Sequence, residues 1–177
     1  MSADRSTRSA RAERLVHPSF LDGLEGLTTD EIRARRDEAR AEREFLSYLR
    51  RLIQSWQDML ESEQGARGRP GNFRQPLAEV LSGQSQGGGR GEAVRLQLPE
   101  DDMAAAEGLV NDLLGGIAFT RLKELDEAAL DSGIETLHRE EVSVSSDRAA
   151  VIRVEDRLQE ELKRRYREDP TQIPEEF

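Results

Sequence analysis

The chain has 177 residues and a formal net charge of −10, with 35% of residues charged and 36% apolar. With a mean hydropathy of −0.73 it is too polar for one large core, and its composition suits exposed helices. An acidic balance argues against direct DNA binding, which needs a basic face, and leaves room only for a small anion held by local arginines. The absence of cysteine excludes disulfides and thiolate chemistry, and two histidines without ligand spacing argue against a metal site. No run approaches the roughly 18 apolar residues of a membrane span, and no apolar signal core follows Met1, so a cytoplasmic protein is expected.

In chain order, residues 1–26 read as a flexible N-terminal arm, rich in Ser, Arg and Ala, with a short apolar patch around His17-Pro18-Ser19-Phe20-Leu21. Residues 27–64 predict a first long helix. Thr28 or Thr29 suits its N-cap, Asp30 and Glu31 suit the positive helix end, and no proline or glycine interrupts before Gly65. Heptads set with Ile32 at position a place Ala39, Leu46, Ile53 and Leu60 at a, and Arg35, Glu42, Leu49 and Trp56 at d. The seam is sound from Leu46 to Leu60 and poor before it, and a helix this long needs a partner. Residues 65–98, with GARGRPGN and SGQSQGGGRG, have the chemistry of a flexible linker.

Residues 99–126 predict a short helical segment that Gly115-Gly116 ends. Residues 127–168 predict a second long helix with Leu130, Leu137, Val144, Val151 and Leu158 at a. Its d positions are weaker, with Gly133 as a bend or a late start, then Glu140, Asp147 and Val154. Residues 169–177 form an acidic tail. The fold class expected is all-α: an antiparallel hairpin, or coiled coil, of two long helices with short accessory helices.

The chain repeats itself. An offset of 98 residues carries Ser47, Arg50, Asp58 and Leu60 onto Ser145, Arg148, Asp156 and Leu158. On a helix, Ser47, Arg50, Gln54 and Asp58 share one face beside the apolar seam. An arginine fork matches guanine O6 and N7 or a phosphate, and an aspartate accepts from guanine N1–H and N2. Arg51 and Arg153 lie nearby as further phosphate candidates. The same residues beside a seam also make an ordinary ladder of ion pairs, and residue chemistry leaves the two readings even. No nucleophile–base pair or metal spacing is present, and GQSQGGGRG is weak as a phosphate loop without a strand before it, so no enzyme is expected. Trp56 reads as a seam residue, and His17 and His138 receive no role.

At these residues the sequence resembles the RsiG family of actinobacterial anti-sigma factors, also known as aerial mycelium formation proteins. That family carries ExxxSxxRxxxQxxxD on each helix of an antiparallel coiled coil. Here the first copy has Ser47, Arg50, Gln54 and Asp58 with Arg43 in place of Glu, and the second has Glu141, Ser145, Arg148 and Asp156 with Ile152 in place of Gln. HPSFLDGLEGL, DEIRARRDEARAE, LSYLRRLIQ and ELKRRYRE also look like the family. The resemblance implies cyclic di-GMP as a regulatory ligand at these eight motif residues, with Arg43, Arg51 and Arg153 as weaker contacts. It implies a WhiG-like, flagellar-type sigma factor as partner, in sporulation and development. Two motif copies in one chain imply an intramolecular hairpin, a monomer or 1:1 with the sigma factor. The alternative is a ligand-free helical scaffold or adaptor.

Overall fold

The computed structural model describes residues 3–67, 98–117 and 119–173, and among these every regular element is helical. The helices are α1 (Ala3–Val16), α2 (Thr29–Arg67), α3 (Glu100–Leu113) and α4 (Glu127–Glu168), with short 3-10 turns at Pro18–Phe20, Leu24–Gly26, Phe119–Glu124 and Pro170–Gln172. None of these helices is long and apolar enough to cross a membrane. Most of the expected 65–98 linker, residues 68–97, lies outside the described residues, as do residues 174–177 of the acidic tail. The chain divides into two compact units, Met1–Ser47 with Val144–Phe177, and Tyr48–Ser143. Both boundaries fall inside the long helices.

In the first unit, α2 opens on a reciprocal capping box. Thr28 Oγ1 accepts from the Glu31 amide at 3.2 Å, and Glu31 Oε2 accepts from the Thr28 amide at 2.7 Å. That backbone hydrogen bond, more than any other cause, holds the Glu31 carboxyl below its ordinary range. The start of α2 lies against the end of α4, where Arg33 Nε donates to Tyr166 Oη at 2.9 Å. Arg43 pairs with Glu155 and Ser47 with Arg148, so the two helices run antiparallel. Ile32, Ala39 and Leu46 from α2 and Val144, Val151 and Leu158 from α4, all at a positions, are fully buried.

The expected flexible arm is instead a helix followed by two 3-10 turns. Ala12 and Leu15, three apart on α1, are buried, and Arg11 reaches Glu42 at 3.0 Å and lies 5.3 Å from the Phe45 ring centroid. With so few apolar residues, α1 carries no legible periodicity; tertiary contact makes the helix worthwhile. The misplaced d residues of the first heptads gain a reason here. Glu42 is buried and paired to α1. Arg35 donates to the Phe20 carbonyl and covers the Phe20 ring at 5.4 Å. His17 Nδ1 accepts from the Ser19 amide at 3.3 Å and caps the turn.

In the second unit, the seam is Leu49, Ile53 and Leu60 from α2 with Leu130 and Leu137 from α4, all fully buried, while Trp56 is half-buried. Gln64 bonds to Asp131 while Arg50 bonds to Glu141, so the helices again run antiparallel. Gly133 does not mark a late start, since α4 begins at Glu127. It sits within α4, and a Cβ there would come 3.1 Å from Leu60 Cδ1, so the position is glycine because a leucine packs over its backbone. Asp126 caps α4, its Oδ1 accepting from the Ala129 amide at 2.7 Å. α3 ends on Gly115 and Gly116, with φ of 61° and 75°, a left-handed turn that glycine adopts without a steric penalty.

α2 does not stop before Gly65. It continues to Arg67, which an arginine clamp holds in place. Arg67 Nε lies 3.2 Å from Glu63 Oε1, and its terminal nitrogens donate to the Leu125 and Leu122 carbonyls at 2.6 and 3.3 Å. The first unit has the same device. Arg165 Nε donates to Glu161 Oε1 at 2.9 Å, and its fork donates to the Leu27 and Leu24 carbonyls at 2.6 and 2.7 Å. Glu63 and Arg67 stand 98 positions before Glu161 and Arg165, as Leu24 and Leu27 stand before Leu122 and Leu125. Hydrogen bonds from Arg164, then Arg165, lower the Glu161 carboxyl to about 2.

Candidate functional site

The polar motif face of α2 is built by helical spacing. In the unit of Tyr48–Ser143, Arg50 Nε donates to Glu141 Oε1 at 2.7 Å, and Gln54 Nε2 donates more weakly to the same oxygen at 3.4 Å. Arg50 from the first motif copy thus meets Glu141 from the second. The arginine side chain stays 39% exposed while the glutamate is 17% exposed. Its terminal nitrogens make no hydrogen bond among the described residues. Asp58 and Arg51 are exposed and have no side-chain hydrogen bond or ion pair among the described residues. Tyr48 lies beside this face, its hydroxyl 3.3 Å from Glu107 of α3; burial, then the nearby Glu107 charge, raises its pKa.

In the other unit, Arg148 Nε donates to Ser47 Oγ at 2.8 Å. The Ser47 hydroxyl donates its own hydrogen to the Arg43 carbonyl at 2.7 Å, which leaves its lone pairs for Arg148. The terminal nitrogens of Arg148 also make no hydrogen bond among the described residues. Arg43, expected as a weaker ligand contact, is 2.9 Å from Glu155 of α4. This ion pair explains how a base is accommodated where the motif carries an acid. Glu155 was not legible as a site residue, because its counterpart 98 positions earlier is Gln57 and nothing repeats. Ser145 is half-buried, Ile152 is half-buried without a polar group to offer, and Asp156 and Arg153 are exposed.

The structure therefore brings Arg50, Gln54 and Glu141 together in one unit, and Ser47 with Arg148 in the other. Asp58, Asp156, Arg51 and Arg153 stand apart from these contacts. The chemistry on offer is a set of half-held arginine forks and unengaged aspartates: donors and acceptors of the kind that a guanine nucleotide pairs with. No group of three possible metal ligands occurs among the described residues.

Residues 18–81 match a family model described as RsiG-like. The match includes the first motif copy on α2; the second copy on α4 lies beyond it. No curated protein and no solved structure matches the chain.

Proposed function

We propose, from the RsiG-like match over residues 18–81, that this chain is an anti-sigma factor of that family, that it binds cyclic di-GMP and that, when loaded, it holds a WhiG-like, flagellar-type sigma factor away from core RNA polymerase. The observation that carries the nucleotide half of this reading is the state of the two motif arginines. Arg50 and Arg148 are each anchored by Nε to a motif residue on the other long helix, and each keeps its terminal N–H groups without a hydrogen bond among the described residues. Asp58 and Asp156 supply acceptors for guanine N1–H and N2. Ser47, Ser145 and Gln54 add adaptable hydrogen bonds, and exposed Arg51 and Arg153 add positive charge for phosphates. The residue set fits the ligand in donor and acceptor type.

The role is binding, not catalysis. A nucleotide that binds only the folded form stabilises it by mass action and so favours the state that the sigma factor meets. Calorimetric titration tests the site. The wild-type chain binds cyclic di-GMP, and the double variant Arg50→Ala, Arg148→Ala loses binding while its helical circular dichroism is retained. Unchanged affinity in that variant refutes the assignment.

A second reading has its own observation. Arg50–Glu141 and Arg43–Glu155 are ion pairs between helices, as a ligand-free scaffold would carry. Capture of a sigma factor from cell extract only when cyclic di-GMP is present supports the regulator; equal capture with and without it supports the scaffold.

A further inference from the structure

We propose that Glu141 is a positioning residue, which neutralises Arg50 and aims its fork at two neutral acceptors side by side, the O6/N7 edge of a guanine rather than a phosphate. The inference rests on the cyclic di-GMP reading and deepens it. Its precedent lies within the molecule. Arg67 and Arg165 are each held through Nε by a glutamate, Glu63 and Glu161, and their terminal nitrogens go to neutral carbonyl oxygens, those of Leu125, Leu122 and Lys123 for Arg67 and those of Leu27 and Leu24 for Arg165. Arg50 has the first half of this arrangement, Nε on Glu141 at 2.7 Å, and lacks the second, because no acceptor among the described residues takes its fork.

Charge decides which acceptor completes it. A guanidinium beside a carboxylate at ion-pair distance has little net charge left to attract a phosphate, yet it keeps its paired N–H donors and their fixed spacing. Guanine offers two acceptors at that spacing, whereas adenine offers one acceptor and one donor. Arg148 differs: Ser47 holds it through an uncharged hydroxyl, so its positive charge is not offset by that contact. Arg43 at the motif's acidic position is the reason, since it is engaged with Glu155 and gives Arg148 no carboxylate. Arg50 therefore reads the base, and Arg148 is the better phosphate partner.

The test compares cyclic di-GMP with cyclic di-AMP, which shares the phosphates but not the base edge, on the full chain and on Glu141→Ala and Glu141→Gln. Wild type favours cyclic di-GMP. Glu141→Ala weakens cyclic di-GMP by about tenfold or more, the scale of a charge-assisted hydrogen bond, and narrows the preference over cyclic di-AMP. Glu141→Gln keeps an acceptor for Arg50 Nε but not the charge, so it recovers part of the cyclic di-GMP affinity while the preference over cyclic di-AMP stays narrowed. Without ligand, the Arg50 Nε–H signal in nitrogen-15 NMR exchanges faster with solvent in Glu141→Ala than in wild type, provided melting shows the variant folded. If Glu141→Ala does not fold, Arg50→Lys, which lacks the fork, is expected to lose the same base preference; a preference retained there overturns the proposal. Wild type binding both dinucleotides equally, or Glu141→Ala binding cyclic di-GMP as well as or better than wild type, overturns it while leaving the nucleotide reading intact. Wild type binding neither removes the functional reading and this inference together.

Discussion

Single side chains in this protein act mainly through the fork geometry of arginine. Arg165 is 13% exposed and donates to two backbone carbonyls, so Arg165→Ala strands those acceptors and costs about 2–3 kcal/mol in urea unfolding. Arg164, 47% exposed, makes only surface pairs with Glu161 and Glu168, so Arg164→Ala should cost less than about 1 kcal/mol. Glu161 gives a pH signature. Its carboxyl falls from an ordinary 4.5 to about 2 when folded. The stability it contributes is therefore complete above pH 4.5 and is lost as pH falls towards 2. Glu161→Gln should be less stable than wild type at pH 6, and the two should converge as unfolding is measured at progressively lower pH. The Arg43 position shows the limits of residue-level reading: a base in an acidic motif slot looks like a defect until Glu155 appears opposite it.

At the scale of elements, glycine separates local from tertiary causes. Gly65 lies in the last turns of α2 with open space where a Cβ would go, so Gly65→Ala should stabilise the protein by about 0.5–1 kcal/mol. Gly133 lies in α4 under Leu60, so Gly133→Val should destabilise by about 1–3 kcal/mol, as overpacking does. Denaturant midpoints of the two variants check both signs. α1 makes the same point in reverse: its residues read as an arm, and only burial of Ala12 and Leu15 with the Arg11–Glu42 pair makes them a helix worth forming.

For the whole molecule, the repeat at 98 residues gives each compact unit the same parts: an apolar seam, an antiparallel helix pair and an arginine clamp. If the proposed nucleotide binds only the folded form, its binding must add to stability. Cyclic di-GMP at about 100 times its dissociation constant should add about 2.7 kcal/mol, which for a chain of this size raises the melting temperature by about 5–10 °C. Thermal melts with and without the nucleotide measure this directly. No rise would favour the scaffold.

The helical class, the two seams and the motif face were legible in the residues alone, because 3.6-residue periodicity and a repeated pattern are local properties that need no knowledge of neighbours. Every a position from Ile32 to Leu60 and from Leu130 to Leu158 is buried for that reason. Which motif residue holds which emerges from packing alone. Glu141 meets Arg50 and Ser47 meets Arg148 across 91 and 101 residues of chain, and the clamp at Arg67 reaches carbonyls 55 and 58 residues away. Such partners are chosen by the register in which two helices pack, which depends on side-chain fit along the whole seam and leaves no trace in the spacing of either helix alone.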